Sequence, residues 1–181
     1  MSSSRIVKIS KYLSKYLRHT PEEIGLQLAP GGWVAVEDLL TACFKNKFAI
    51  TRQELQIVVD TNEKKRFSFD ATGTLIRANQ GHSVEIDLQL EPVTPPDILY
   101  HGTGHTSVES ILQNGLCKMS RHHVHLSLDM NTAKIVGARH GKPVVFVVDA
   151  LAMHKAGYIF YCSDNEVWLV DHVPPEYLKQ V

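Results

Sequence analysis

The chain has 181 residues, of which 44% are apolar and 21% are charged, a composition typical of a globular protein with one domain or two small lobes. Its 19 basic and 19 acidic residues balance, which argues against binding to nucleic acid through bulk charge alone. Apolar runs stay well short of the roughly 20 residues that a membrane span requires. The three scattered cysteines indicate reduced thiols. We therefore expect a cytoplasmic protein without a membrane partner, and we expect a monomer.

The first segment predicts an amphipathic helix that carries a basic stripe. On a helical wheel its basic residues fall within an arc of about 140°, and the apolar residues Ile6, Ile9, Leu13 and Leu17 lie opposite. The basic set is Arg5, Lys8, Lys11, Lys15 and Arg18. A solvated lysine face is the simplest interpretation. A functional interpretation gains weight because the stripe ends in Arg18-His19, where the chain must turn before Pro21.

The pattern up to residue 92 predicts three short helices followed by a hairpin. After the first helix we expect a strand at 33–36, helices at 37–44 and from the Thr51-x-x-Glu54 capping box, and a hairpin over 67–77. This order is typical of a winged-helix domain. Pro92, Pro95 and Pro96 then mark a linker. We therefore assign residues 1–92 to one lobe and residues 93–181 to a second.

The second lobe has the pattern of a mixed structure, so the predicted fold class is α+β. Short strands are expected at 98–101, 124–127, 144–148, 158–161 and 167–170. Helices are expected from a cap at Thr106-x-x-Glu109 to about Asn114-Gly115, and over 131–139.

Polar and basic residues of the hairpin and its exit form a candidate phosphate site. If Phe67 fills the core, strand alternation places Arg66 on the other face, and Arg77 of the partner strand can share that face. An isolated arginine here would most simply be solvent-facing. With Gln80 and His82 following, however, guanidinium groups that match phosphate oxygens become plausible ligands.

Two further groups in the second lobe could carry chemistry. His101-Gly102-Thr103 is expected to follow a strand, where the glycine would let a ligand approach the backbone, although a simple strand-to-helix turn fits equally. The segment 121–127 is rich in histidine, which first suggests zinc. Cys117 is the only nearby thiol, so the four paired ligands of a structural zinc site are lacking, and we expect no metal.

These motifs together resemble the RNA 2′-phosphotransferases, called KptA in bacteria. The resemblance runs from about residue 10 to 178. It is carried by Leu13-Ser14-Lys15-Tyr16-Leu17-Arg18-His19, Gly32-Trp33-Val34, Lys65-Arg66-Phe67, Ile76-Arg77-Ala78, Gln80-Gly81-His82-Ser83, Leu99-Tyr100-His101-Gly102-Thr103, His123-Val124-His125-Leu126-Ser127, Gly137-Ala138-Arg139-His140-Gly141 and Val167-Trp168-Leu169.

The resemblance implies a winged-helix lobe that binds RNA and an ADP-ribosyltransferase-like lobe that binds NAD⁺ as co-substrate. The implied reaction transfers an internal RNA 2′-phosphate to NAD⁺ through an ADP-ribosylated RNA phosphate, as in tRNA splicing. It releases nicotinamide, RNA with a 2′-OH, and ADP-ribose 1″,2″-cyclic phosphate. The implied partners are therefore RNA bearing a 2′-phosphate, such as a tRNA, and NAD⁺.

The resemblance also assigns roles to individual residues. The essential set it implies is Arg18, His19, Arg66 and Arg121. We assign NAD⁺ binding to His101, Gly102, Thr103, His125, Ser127, Arg139 and Val167. We assign contacts with the RNA phosphate to Lys15, Arg77, Gln80 and His82. His101 and His125 correspond to the first two positions of the transferase triad, and Val167 stands at or beside the third. Relatives tend to have glycine where this chain has Glu166, whose side chain we expect to point away from the active face.

Other functions remain open from the sequence alone. An ADP-ribosyltransferase acting on a protein, a nucleic-acid end or a small molecule would share the NAD⁺ site, and Glu166 keeps this alternative alive. A non-enzymatic winged-helix regulator and a metal hydrolase are further alternatives.

Overall fold

The computed structural model describes residues 2–181. The chain divides into two compact units, Met1–Gln89 and Leu90–Val181. Each unit contains its own hydrophobic core. Both units combine helices with small antiparallel sheets, as expected for the α+β class. Within residues 2–181 no helix has the length and apolarity to cross a membrane.

The helices of the first unit form where the apolar pattern predicts them. Their bounds are α1 Ser3–Tyr16, α2 Val36–Lys45 and α3 Arg52–Asp60. Helix α1 buries Ile9 and Leu13 completely, which accounts for the predicted apolar stripe. It ends two residues earlier than expected, so Arg18 lies beyond the helix. Helix α3 begins with the predicted capping box of Thr51 and Glu54.

A three-stranded sheet completes the first unit. Its strands are β1 Val34–Ala35, β2 Phe67–Phe69 and β3 Leu75–Ala78, in the order β1-β3-β2. The predicted strand at 33–36 is shorter than expected because α2 begins at Val36. The predicted hairpin is confirmed, and its register pairs Ser68 with Arg77. Its turn is closed by Asp70, whose carboxylate accepts a hydrogen bond from the Leu75 N–H at 2.8 Å.

The second unit is built from two three-stranded sheets and a two-stranded one, with strand orders β11-β7-β4, β6-β9-β8 and β10-β5. The strands are β4 Ile98–Gly104, β5 Leu116–Cys117, β6 Val124–Leu126, β7 Pro143–Asp149, β8 Phe160–Cys162, β9 Trp168–Val170, β10 His172–Val173 and β11 Leu178–Gln180. The two larger sheets meet where the backbones of Tyr100 and Ser127 exchange hydrogen bonds of 2.9 and 2.8 Å.

The helices of the second unit correct several predicted boundaries. They are α4 Val108–Asn114, α5 Met130–Gly137 and α6 Ala150–Lys155. A 3₁₀ turn over His105–Ser107 replaces the cap predicted at Thr106. Asp129 caps α5, since its carboxylate accepts from the Thr132 N–H at 2.8 Å. Helix α6 was not predicted, because its six residues are too few to show a helical period.

Candidate functional site

In the first unit, Arg18 and His19 are held by the segment that follows β3. The backbone carbonyl of Arg18 accepts hydrogen bonds from the N–H groups of Ser83 at 2.9 Å and Val84 at 3.3 Å. The His19 Nδ1 lies 2.9 Å from the Ser83 hydroxyl. The loop segment that follows β3 therefore holds Arg18 and His19 in place, and His19 is exposed.

The Arg18 side chain is oriented by two of the sequence-predicted neighbours. Its Nη2 donates to the Gln80 Oε1 at 3.4 Å, and its guanidinium lies 5.8 Å from the centre of the Phe67 ring. Gln80 follows β3 and Phe67 begins β2, so the hairpin supplies both contacts. The structure thus brings Gln80 to Arg18, the chain neighbour of His19, and the binding of a phosphate by these residues stays a prediction.

Arg77 lies on the face of β3 away from the buried Ile76 and Ala78. Arg66 directly precedes β2, and its place on the same face stays a prediction. The register places Ser68 across from Arg77, and the Asn79 N–H donates to the Arg66 carbonyl at 2.9 Å. The Arg77 guanidinium lies 4.5 Å above the Trp33 ring, with its Nη1 3.4 Å from the Gly31 carbonyl. These contacts give Arg77 a packing role that the sequence assignment to RNA phosphate did not include.

Two other residues assigned to the RNA phosphate have local contacts of their own. His82 is 0% exposed and lies under Gly32, where an added Cβ would be 3.2 Å from its Nε2. Lys15 is exposed and pairs with Glu23 at 2.6 Å, and this contact is the main reason why the pKa of Lys15 is raised. His82 therefore packs against the backbone at Gly32. The Lys15 ammonium group, in contrast, is paired with the Glu23 carboxylate.

Asn79 is a buried residue of this region that the sequence did not single out. It is 4% exposed, and its Nδ2 donates to the Lys65 carbonyl at 2.7 Å. Lys65 adopts a left-handed backbone with φ 39°, so Asn79 holds a strained residue directly before Arg66. Within residues 2–181 the Asn79 Oδ1 has no hydrogen-bond partner. The sequence signal that could have identified Asn79 is its position as a polar residue between Arg77 and Gln80, two residues already assigned to the candidate site.

In the second unit, the histidine–arginine cluster consists of His101, His125 and Arg121. The His101 Nδ1 lies 3.0 Å from the His125 carbonyl, and because a carbonyl only accepts, Nδ1 carries the proton. Burial lowers the pKa of His101, and the bond to His125 offsets part of this effect. The ring is therefore neutral near pH 7, with a lone pair on Nε2.

The same cluster orients Arg121. The Arg121 Nη1 lies 3.3 Å from the His125 Nδ1, and because a guanidinium only donates, that nitrogen acts as the acceptor. Arg121 remains exposed, so the contact holds one edge of the guanidinium and leaves the other edge toward solvent. The structure thus joins three sequence-predicted residues from β4, β6 and the loop that precedes β6.

Gly102 lies within β4, not in the turn that the sequence predicts. A Cβ at Gly102 would lie 1.6 Å from the Ala133 carbonyl oxygen, and one at Gly137 would lie 2.7 Å from the Thr103 carbonyl. These glycines therefore allow α5 to pack directly on the strand. Close approach is required, as predicted, but the approaching group is the helix backbone. Thr103 is buried in the same contact region.

The remaining residues assigned to NAD⁺ lie in different parts of the unit. Ser127 forms the backbone bridge between the two sheets, and Arg139 is exposed in the 3₁₀ turn after α5. Val167 precedes β9, and its N–H donates to the Ser163 hydroxyl at 3.3 Å. The assignment of these three residues to NAD⁺ binding stays a prediction.

Glu166 occupies a turn position that favours glycine. Its φ of 60° lies in the left-handed region, and its side chain is exposed. This backbone conformation accounts physically for the glycine that the resemblance leads us to expect there.

The histidine-rich segment does not gather metal ligands. His123 packs its ring edge against Tyr161, with ring centres 5.4 Å apart, and burial lowers its pKa. Among residues 2–181, no group of three or more histidine, cysteine or acidic side chains is arranged to hold a metal ion.

Comparison with known proteins gives a consistent result over nearly the whole chain. Residues 4–172 match the family described as RNA 2′-phosphotransferase, Tpt1/KptA family. A protein of Nostoc punctiforme named "Probable RNA 2′-phosphotransferase" is 77% identical over 181 residues, which is 100% of both chains. Proteins with the same name from Trichormus variabilis and Herpetosiphon aurantiacus are 67% identical over 100% of both chains and 54% identical over 98% of both chains.

Proposed function

Because the chain belongs to the RNA 2′-phosphotransferase family, Tpt1/KptA, we propose that it transfers an RNA 2′-phosphate specifically to NAD⁺. The products are RNA with a free 2′-OH, nicotinamide and ADP-ribose 1″,2″-cyclic phosphate. NAD⁺ supplies a ribose that accepts the phosphate and a nicotinamide that departs. The contact chain from Arg121 through His125 to His101 is the observation that carries this proposal.

The chemistry of this histidine–arginine cluster fits a sugar–phosphate group. The neutral His101 presents Nε2 as an acceptor, which suits a ribose hydroxyl, while Arg121 presents N–H donors, which suit phosphate oxygens. A wider set is proposed to bind NAD⁺, comprising Gly102, Thr103, Ser127, Arg139 and Val167. We assign the second unit an ADP-ribosyltransferase-like fold on the same grounds.

An apolar residue at Val167 suits a phosphate nucleophile. A protein-modifying transferase gains from a carboxylate that helps to deprotonate a weak nucleophile. A phosphate oxygen is already anionic and needs no base, and a carboxylate beside it would repel the charge. Val167 therefore favours the 2′-phosphate as the acceptor group.

In the first unit, which we assign a winged-helix fold, arginines would neutralise the RNA 2′-phosphate. Arg18 is oriented by Gln80 and Phe67, and Arg66 follows the strained Lys65. Charge spreads over the phosphoryl oxygens during transfer, so preorganised donors stabilise the transition state more than the ground state. Arg18 and Arg66 are therefore proposed as phosphate ligands.

His19 is proposed as the general acid toward the departing RNA 2′-oxygen. Its contact with Ser83 involves a hydroxyl, which can donate to a neutral imidazole and accept from a protonated one. Nδ1 is therefore supported in both protonation states, and the exposed Nε2 is the atom that exchanges a proton. In single-turnover assays, the alkaline limb of the pH–rate profile, where a general acid loses its proton, should change in His19→Ala and be retained in Ser110→Ala. An unchanged profile would refute the role.

The decisive experiment uses an oligoribonucleotide with one internal 2′-phosphate, with EDTA present and with or without NAD⁺. We expect loss of the 2′-phosphate only with NAD⁺, together with equimolar nicotinamide. Release of inorganic phosphate without NAD⁺ would refute the proposal. A stable ADP-ribose adduct on another acceptor would instead favour the alternative transferase, for which the exposed Glu166 is the one favouring observation.

A further inference from the structure

The first unit exposes a combination of aromatic and basic side chains that the proposed phosphate site does not use. We define the lysine–aromatic surface by Lys8 and Lys11 of α1 and by Phe44, Lys45, Lys47 and Phe48 at the end of α2. Lys8 lies eight residues before the end of α1 at Tyr16, about 12 Å along the helix axis, and Arg18 follows beyond that end. The surface therefore begins well away from Arg18 and His19.

Aromatic stacking joins the two segments into one surface. The Tyr12 ring stacks on Phe48 with centres 4.1 Å apart and an angle of 7°, and Tyr16 lies 4.5 Å from Tyr12. Lys8 lies one helical turn before Tyr12 and is therefore its neighbour on α1. Phe44, four residues before Phe48, is not covered by this stack and is 72% exposed.

The charged residues that define this surface are all lysines, and the acidic side chain beside it, Glu54, is paired at 3.0 Å with Arg5, whose guanidinium lies 5.1 Å from the centre of the Phe48 ring. Lys8, Lys11, Lys45 and Lys47 are all exposed. The sequence holds no acidic residue between positions 5 and 19 or between 42 and 50. Although the chain as a whole is neutral, this surface is locally cationic, and anionic ligands are therefore favoured there.

Lys47 adds an observation of backbone strain. Its φ of 58° places a lysine in the left-handed position that ends a helix, where glycine is the favoured residue. The Phe48 N–H bonds to the Cys43 carbonyl across this position at 2.9 Å. A charged side chain is thus present at a position where its backbone conformation costs stability, and functional use of the charge would explain it.

We propose that the lysine–aromatic surface binds the single-stranded RNA that flanks the 2′-phosphorylated nucleotide. This inference rests on the proposed function. Phe44 would stack on one base, since every base has an aromatic face, and the lysines would contact the neighbouring phosphates. An apolar protein partner fits less well, because the residues beside Phe44 are Lys45, Asn46 and Lys47.

Enzyme kinetics with two RNA lengths test this proposal. One substrate carries a single nucleotide on each side of the 2′-phosphate, and the other is extended by about ten unstructured nucleotides. We expect the wild-type protein to have a lower KM for the long RNA. Phe44→Ala should raise that KM about fivefold or more, as for the loss of one stacked base, and should leave kcat and the KM of the short RNA unchanged.

Lys47→Gly separates RNA binding from folding. Glycine suits the left-handed position, so this variant should unfold at a higher temperature, yet its KM for the long RNA should rise. The salt dependence of log KM should also become shallower by about 0.7 for one lost phosphate contact with a single strand. Leu112→Ala, at a 50% exposed apolar residue of α4, and Lys155→Gln, at the end of α6, serve as matched controls with no expected change.

The outcomes separate this surface from the proposed function. Equal wild-type KM values for the two RNAs, or equal effects of Phe44→Ala on both, would refute RNA binding by the lysine–aromatic surface. Turnover of the short RNA would still support the proposed function. If neither RNA reacts, the proposed function fails. Fluorescence anisotropy with unphosphorylated long RNA then tests whether the lysine–aromatic surface binds RNA. Weaker binding by Phe44→Ala and Lys47→Gly than by the wild type supports this binding, and unchanged binding refutes it.

Discussion

The two units hold their candidate residues in different ways. In the first unit, side chains and loop segments orient Arg18 and His19, through Gln80 and Ser83. In the second unit, His101 is anchored within a strand to the backbone of a neighbouring strand, through the His125 carbonyl. Contacts made by side chains, as for Arg18 and His19, can be changed by substitution of the partner residue. A hydrogen bond to a backbone carbonyl, as for His101, fixes the tautomer of the imidazole. Under the proposed function, recognition of the phosphate would depend on replaceable side chains and recognition of NAD⁺ on the sheet framework.

Removal of a cationic ligand in the first unit should have the largest effect. Arg66→Ala should slow transfer of the 2′-phosphate by about a hundredfold or more, because a preorganised donor to the transferring group is lost. Single-turnover rates with saturating NAD⁺ measure this change. Arg52→Ala, an exposed arginine that contacts Glu37, is the control. Equal rates for the two variants would remove Arg66 from the phosphate site.

Disruption of the sheet framework should act through folding. In Gly102→Ala the new methyl group would overlap the Ala133 carbonyl, so α5 must move away from β4. We expect a loss of about 3 kcal/mol or more in the free energy of unfolding, measured by urea denaturation. Gly157→Ala at an open position with φ 99° shows the cost of backbone strain alone. A loss in Gly102→Ala no greater than in that control would contradict the packing argument.

Substitution of Asn79 tests whether the first unit also depends on a hydrogen bond to the backbone, here to the Lys65 carbonyl. Asn79→Ala removes the donor to the Lys65 carbonyl and should lower the free energy of unfolding by about 1–3 kcal/mol. If Asn79 positions Arg66, kcat should fall while KM for NAD⁺ stays constant. Asn79→Gln, which can reach the carbonyl only with repacking, should recover part of kcat. A change in stability with unaltered kinetic constants would limit Asn79 to a structural role.

The pH dependence of stability should report the buried histidines of the second unit. Burial lowers the pKa of His101 below its ordinary 6.5, so the unfolded chain binds a proton first as the pH falls. The contribution of His101 to the free energy of unfolding should therefore be constant above about pH 7 and should decrease as the pH falls through 6.5. His101→Gln should reduce this decrease, and His123→Gln should reduce it further, since the pKa of His123 is also lowered by burial. An unchanged pH dependence in His101→Gln would contradict a neutral, buried ring.

The smallest expected effect is an increase in the free energy of unfolding, in Glu166→Gly. Glu166→Gly places the residue that favours a left-handed backbone in the turn before β9 and should stabilise the protein by about 1 kcal/mol. Phosphate transfer to NAD⁺ should not change, because the side chain is exposed. Urea denaturation and steady-state kinetics measure both quantities. A marked loss of activity would instead assign Glu166 a role in the reaction.

Sequence reasoning succeeded where a residue's environment is set by its neighbours in the chain. The α1 stripe, the Thr51 capping box and the hairpin with Arg77 on its outer face follow from local periodicity and turn chemistry. The stacking of Arg77 on Trp33, the burial of His82 and the packing of α5 on Gly102 depend on segments distant in sequence. The α6 helix and the strands β5, β10 and β11 were missed, because segments this short show no period.

The hydrogen bonds between Ser83, Val84 and the Arg18 carbonyl have a consequence for the order of folding. They close a loop of more than sixty residues, and loops of that length form after local helices and hairpins. Helix α1 can therefore form during early collapse, while Arg18 and His19 become ordered only after the hairpin has docked. A nascent or truncated chain that ends at Ala78 would lack the hydrogen bonds from Ser83 and Val84 that hold Arg18 and His19.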